Sequence, residues 1–253
     1  MALLVLITMV DMRLNSRRNS EVQKDFKMNR KVLRTFKVLC INESMNTTII
    51  RSDSSYLEVT FHKDSIEPKV NYTIKDDTLM LNDFEKKSHH NVSVKIHATD
   101  SLKSIQLKNS DISIERLGRS ALMIAMDHSS LWLNQDTLVK SPFQNLEIVE
   151  KNHSKVNSSE FKIDSLNIDL NNSEANLEII MKKISGSLSD RSYLSVRHSE
   201  EISLMLKKDA TSKIYVNGYW LEKSGRSTLP QSHRVTKFHK VKSKDVLCDT
   251  FVA

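Results

Sequence analysis

A serine recurs about every twenty residues, each time followed by an alternating apolar pair. The unit reads Ser, any residue, apolar, any residue, apolar. It stands at Ser110 (Ile112, Ile114), Ser129 (Leu131, Leu133), Ser192 (Leu194, Val196) and Ser212 (Ile214, Val216). Weaker copies stand at Ser154 (Val156) and Ser173 (Ala175, Leu177). Consecutive serines are 19, 25, 19, 19 and 20 residues apart, and the long gap holds Lys140-Ser-Pro142-Phe143, read as a loop insertion. A second apolar pair precedes several serines: Ile105/Leu107, Ile124/Met126 and Ile168/Leu170. A repeat of this length is one small unit that cannot bury its inward face alone, so copies must stack and share a continuous core. The fold this predicts is all-β: a parallel β-helix, or solenoid, of about 20 residues per coil, with strands about 4.8 Å apart. The serines fall at a corner of every coil, where a hydroxyl bonds the backbone of a tight turn. A ligand-binding stripe is the alternative role for them.

Period-2 alternation also dominates upstream, in Phe36/Val38/Cys40, Leu57/Val59/Phe61 and Val92/Val94/Ile96, which predicts half-buried strands. Asp76-Asp77, between Val70–Ile74 and Leu79–Leu81, predicts a hairpin turn. No helical pattern of ten or more residues interrupts residues 32–217, which argues against alternating β/α folds. Four glycines and three prolines exclude collagen-like and flexible-linker compositions. Two cysteines, Cys40 and Cys248, exclude a disulfide scaffold and a four-cysteine zinc site.

Three regions follow. Residues 1–31 hold an apolar segment and a charged, helix-compatible stalk from Asn15 to about Lys31; residues 32–221 are the β body; residues 222–253 are a basic tail. The net charge of +7 is concentrated at the ends, while the body is mildly acidic. The run Ala2–Val10 is too short to span a bilayer and lacks a basic signal-peptide start. It is read as the end of a membrane anchor, the alternative being a buried strand or short helix. Arg13, Arg17 and Arg18 follow it, and by the positive-inside rule they would hold the chain in the cytoplasm; charges upstream could reverse this, so the side of the membrane is open. The tail carries several Lys and Arg but interleaves only Phe238. That pattern is unsuited to stacking on single strands, and no nucleic-acid partner is expected.

The stretches Arg34–Val38, Tyr56–Phe61, Val70–Leu79 and, most tellingly, Val92–Leu107 resemble the auto-transporter adhesin head GIN domain of Bacteroidetes-type envelope proteins. The resemblance covers roughly residues 34–217 and implies a β-helical domain on the bacterial cell envelope, with no established activity. That family commonly has Gly at its corners. Here Ser, Asn and His stand there, so conformations with φ > 0 are expected to fall on Asn or Asp.

Chemistry is sparse. No G-x-S-x-G, P-loop, dinucleotide glycine motif, H-E-x-x-H or CxxC is present. His128 and His153 each precede a corner serine and could stack into a metal pair; a plain polar corner is preferred, because Asn109, Asn172 and Arg191 hold the same place. Asp164, Asp169 and Glu174 are candidate carboxylates for glycoside chemistry, but spacings of five do not keep one strand face. Trp132 alternates with Leu131 and Leu133, so it points outward, where it either meets a sugar or a protein or is covered by the loop that holds Pro142. Tyr215, Tyr219 and Trp220 are expected to cap the last coil, and Cys40 is expected to be a small core residue. No catalytic, cofactor or metal residue is assigned. The expected function is a non-enzymatic, envelope-anchored module for binding or adhesion, with an envelope protein or a glycan as ligand. The alternatives are a polymerising membrane-associated scaffold and a carbohydrate-active solenoid enzyme.

Overall fold

In the computed structural model, residues 25–43, 47–84, 92–115, 121–134, 143–197, 203–216 and 219–220 are described. They form nineteen strands and no helix. In chain order these are β1 Phe26–Val32, β2 Val38–Asn42, β3 Thr47–Arg51, β4 Tyr56–His62, β5 Val70–Lys75, β6 Thr78–Phe84 and β7 Ser93–Ala98. Then come β8 Ser104–Lys108, β9 Asp111–Glu115, β10 Leu122–Asp127, β11 Ser130–Asn134, β12 Phe143–Lys151, β13 Lys155–Asn171 and β14 Glu174–Ile180. The last are β15 Lys183–Ser189, β16 Tyr193–Arg197, β17 Ser203–Lys208, β18 Lys213–Val216 and β19 Tyr219–Trp220.

Pairing sorts them into two large sheets. The first runs β1, β4, β7, β3, β9, β11, the first half of β13, β14, β16, β18, β19. The second runs β5, β6, β2, β8, β10, β12, the second half of β13, β15, β17. The long β13 belongs to both. Its pairing with β14 shifts register between Ser158 and Phe161, where the strand passes from one sheet toward the other. From β8 onward each layer is one strand of the second sheet, a corner, and one strand of the first. The segments that pair in parallel are the serine-marked copies, as in Asp111↔Ser130↔Lys155.

Because register is kept, like side chains stack in columns. In the second sheet Leu39, Ile105, Ile124, Ile148 and Ile168 are successive partners, all fully buried. In the first sheet Ile112, Leu131, Val156, Ala175, Leu194 and Ile214 do the same. Each fully buried Leu, Ile or Val contributes about 1.5–3 kcal/mol, and only a neighbouring layer can supply its cover, so the layers stabilise one another.

Antiparallel strands close both ends. At one end β1 pairs with β4 over seven residues, β4 with β7, and β5 with β6. At the other, β19 pairs antiparallel with β18; the side chains of Tyr219 and Trp220, expected to cap the last coil, lie outside the described residues. The Asp76-Asp77 hairpin forms, with φ of 47° and 60° at the two residues. Those are the left-handed conformations that a two-residue loop matching the twist of its strands requires.

Two expectations are corrected. The helical stalk is absent from residues 26–31, which belong to β1. The thin apolar stripe there offers a helix little to bury, while β4 offers seven in-register partners, and the ladder prevails over local preference. Residues 1–24, with the apolar run and the rest of the stalk, lie outside the described residues, as do 221–253 with the basic tail and Cys248. The second correction is one of phase. Leu39 and Ile41, not Val38 and Cys40, fill the inward columns, opposite Leu79/Ile105 and Leu81/Leu107. Cys40 is nonetheless buried, as expected of a core residue, with its Sγ 3.7 Å from Gln106 Oε1.

Candidate functional site

The repeat places its conspicuous polar residues at the corners. All six corner serines are buried, at 1–6% exposure. Each hydroxyl from Ser110 to Ser192 donates to a carbonyl two or three residues back: Ser110 to Lys108 (2.7 Å), Ser129 to Asp127 (2.8 Å), Ser154 to Lys151 (2.6 Å), Ser173 to Asn171 (2.9 Å) and Ser192 to Ser189 (2.5 Å). The same oxygens accept N–H groups from the preceding layer: Ser110 N to Ser129 Oγ (3.2 Å), Ser129 N to Ser154 Oγ (3.3 Å), Ser173 N to Ser192 Oγ (3.3 Å) and Ser192 N to Ser212 Oγ (3.2 Å). The serines therefore tie layer to layer and hold no ligand stripe. Ser129→Ala removes the hydroxyl that accepts the buried Ser110 N–H and should cost about 1–3 kcal/mol in chemical unfolding; an unchanged midpoint would refute the tie.

Among the described residues no serine follows Ser212 in the ladder. Asp209 takes its place. Its Oδ1 accepts the Ser212 N–H at 2.7 Å and the Thr211 N–H at 3.0 Å, and its Oδ2 accepts the Asp190 N–H at 2.8 Å. Hydrogen bonds from Ser212 first, then from the Asp190 N–H and from Thr211, hold this carboxyl well below the ordinary Asp value. A depressed folded pKa means stability that is present above the unfolded value of about 3.9 and lost as pH falls through the folded one. Asp209→Asn should therefore lower Tm at pH 7, and the difference from wild type should shrink below pH 4. A gap that stays constant with pH would contradict the cap.

Positive φ falls on Asn109, Asn152, Asn172 and Asp190, as expected, but also on His128, His153 and Arg191. The two histidine rings lie 6.4 Å apart and tilted by 58°. His128 Nδ1 is 2.7 Å from Asp127 Oδ1, and His153 Nε2 is 3.3 Å from Asn172 Nδ2. Both rings bond their own corner neighbours. Burial pushes the Asp127 carboxyl up, but hydrogen bonds from Asn152 and His128 outweigh it, and the group sits below its ordinary value. Among the described residues no group of three His, Cys, Asp or Glu is placed to hold a metal ion.

The carboxylates do not converge. Asp164 pairs with Lys182 at 2.8 Å and Asp169 accepts from Ser187 at 2.6 Å, both along the second sheet. Glu174 belongs to the first sheet, with Lys155 at 3.3 Å and the Asn176 amide at 2.6 Å.

A cluster the repeat gave no sign of lies on the antiparallel end. Arg30 Nε is 3.0 Å from Glu58 Oε2, and its guanidinium carbon sits 5.4 Å from the centre of the Tyr56 ring. Tyr56 stacks on His97 at 3.9 Å and 11°. Burial chiefly depresses the His97 pKa; Glu58 opposes this, and Arg30 and Lys95 add to it. In-register pairs on three adjacent strands make this a clamp that holds β1 to the body.

A buried carboxyl is the other residue missed. Glu150 occupies the inward column between Met126 and Leu170, is fully buried, and has no hydrogen-bond partner for either oxygen. Burial, and then the Glu174 carboxylate, raise its pKa well above the ordinary value. The signal was legible: aligning the 25-residue copy with its neighbours puts Ile148 and Glu150 where the others have Ile/Met or Ile/Leu.

What remains is the outer face of the first sheet. Along one register row stand Thr48, Ser113, Trp132, Asn157, Asn176, Ser195 and Tyr215, one per strand from β3 to β18. None is charged. Trp132 is 48% exposed, pointing outward as alternation predicts. Its register partners, Ser113 and Asn157, are small, so the indole stands above them. Charges keep to the rows on either side, at Asp111, Lys155, Glu174 and Lys213 on one flank and Glu115, Glu178 and Arg197 on the other. Thr48 and Ser113 share a hydrogen bond of 3.0 Å, and Asn176 is held by Glu174. The loop containing Pro142 lies outside the described residues.

No protein-family model and no curated protein sequence matches the chain. Solved structures do resemble it. A candidate adhesin of Bacteroides fragilis is 13% identical, with 76% of this chain and 97% of that one covered and a TM-score of 0.45. A candidate lipid-binding protein of Parabacteroides distasonis is 12% identical over 84% and 97%, with a TM-score of 0.44. A candidate cell adhesion protein of Clostridium sporogenes is 10% identical over 76% and 98%, with a TM-score of 0.30. At these identities and TM-scores none of them assigns an activity.

Proposed function

We propose that the stacked layers are a parallel β-solenoid of the GIN-head type, displayed on the bacterial cell envelope, and that it is a non-enzymatic module whose flat sheet faces bind a partner. The observation that carries the reading is the outer face of the first sheet: a row of small neutral side chains, regular from layer to layer, with a half-exposed tryptophan standing above it. A regular stack makes a long, stiff surface from few residue types, which suits presentation better than turnover. Attachment to the membrane is assigned to the apolar run Ala2–Val10; among the described residues no helix is long and apolar enough to cross a membrane. The test is fractionation of cells producing the full-length gene product, followed by protease treatment of intact cells. The expected result is protein in the envelope fraction, cut by external protease. A wholly cytosolic pool overturns the reading.

One observation favours the scaffold as a second reading. Among the described residues β1 pairs only with β4, and its Met28 and Val32 are 57% and 87% exposed. An unpaired edge with apolar side chains is a template for another copy. Sedimentation that stays monomeric over a wide concentration range removes that reading.

A further inference from the structure

We infer that the neutral row on the outer face of the first sheet, from Trp132 on β11 to Tyr215 on β18, is a binding track for an uncharged, extended β-1,4-linked oligosaccharide lying across the strands. The inference rests on the proposed function and names the ligand class for that surface.

Charge argues for the class. This chain is 27% Asp, Glu, Lys and Arg, yet seven strands in succession place no charge in this row. A nucleic acid or an anionic lipid would call for Lys and Arg there. A charged peptide would call for opposite charges in register. An uncharged polyol asks only for hydrogen-bonding groups and an aromatic platform, and the row supplies both. Among the described residues the side chains of Asn157 and Ser195 have no hydrogen-bond partner, so an amide and a hydroxyl are ready for ligand hydroxyls without breaking a bond. The Trp132 indole offers its apolar body to the C–H face of a sugar ring.

Spacing argues for the linkage. Neighbouring strands are about 4.8 Å apart, close to the length of one pyranose ring along an extended chain. A β-1,4 chain is ribbon-like and places successive rings at a constant step along a straight line; an α-linked chain coils away from such a line. Trp132 and Tyr215 are four strand spacings apart, roughly 19 Å, with Asn157, Asn176 and Ser195 at the intermediate steps. A ligand of four to five rings therefore meets an aromatic residue near each end and a polar side chain at each ring between.

Titration calorimetry of the full chain tests this, with cellohexaose, mannohexaose, xylohexaose and chitohexaose as neutral β-1,4 probes. An α-1,4 maltohexaose and an acidic oligogalacturonide serve as controls. The expected result is saturable binding of at least one neutral β-1,4 hexaose, with neither control bound as tightly. Trp132→Ala should weaken that binding at least ~10-fold, Asn157→Ala should weaken it less, and Trp132→Phe should recover part of it. Trp132 and Asn157 point outward, so all three variants should keep the wild-type Tm. No binding of any neutral β-1,4 hexaose overturns the inference. So does binding that Trp132→Ala leaves unchanged, or tighter binding of either control. Any of these failures leaves the envelope location standing, since fractionation measures that separately.

Discussion

Replacing Gly186 with alanine is expected to unfold much of the stack, or to lower its stability by roughly 3 kcal/mol or more. Gly186 lies in β15 between Ile168 and Leu206, at a point where the inward column has no side chain. Its φ is +138°, a conformation that L side chains rarely adopt. A Cβ built there would lie 1.8 Å from the Ile168 carbonyl oxygen and 2.6 Å from its carbon. Both are backbone atoms, so no rotamer change relieves the overlap. The layer could accept the methyl only by pulling β15 away from β13, which breaks the ladder on which the next layer also depends. Chemical denaturation of Gly186→Ala should show a much lower midpoint, with a lower m-value if the layers after β15 detach. An unchanged midpoint would mean that the close approach is not real.

Glu150 gives the opposite sign. Glu150→Leu should stabilise the fold by about 2 kcal/mol at pH 7, by replacing an unsatisfied buried carboxyl with an apolar side chain of similar size. The wild-type penalty depends on pH. The folded pKa is raised, so the folded protein retains a proton that the unfolded chain releases near 4.3. Wild-type stability therefore falls as pH rises above about 4.3, by up to 1.4 kcal/mol per unit, until the folded group also ionises. The gap between Glu150→Leu and wild type should be small at pH 4 and should widen toward pH 7. Glu150→Gln removes the titration but leaves a buried amide. It should flatten the pH dependence without matching the stability of the leucine variant. A gap independent of pH would show that Glu150 is solvated in the folded state.

Much of this architecture was legible in the chain. The serine-marked copies predicted which segments pair, because a unit with one apolar face must stack on its like, and the period of the pattern sets the register. Alternation with its two leucine neighbours alone places Trp132 outward. The turn at Asp76-Asp77 followed from residues that tolerate φ > 0. These are local facts, and a regular stack repeats local facts.

What the sequence could not decide depended on contacts between distant segments. Residues 26–31 became strand because β4 presented an open edge, a circumstance set some thirty residues away. β2 lies between β6 and β8, and β3 between β7 and β9, so the chain order of strands is not their spatial order. The Arg30–Tyr56–His97 clamp exists only after that assembly. Asp209 accepts the Ser212 N–H, a role that a serine of the next layer plays at Ser192. The neutral row from Thr48 to Tyr215 is visible only when seven strands lie side by side, since in the chain its members are separated by charged residues. Periodicity fixes which face of each strand looks inward; only the packed layers decide which outward residues become neighbours.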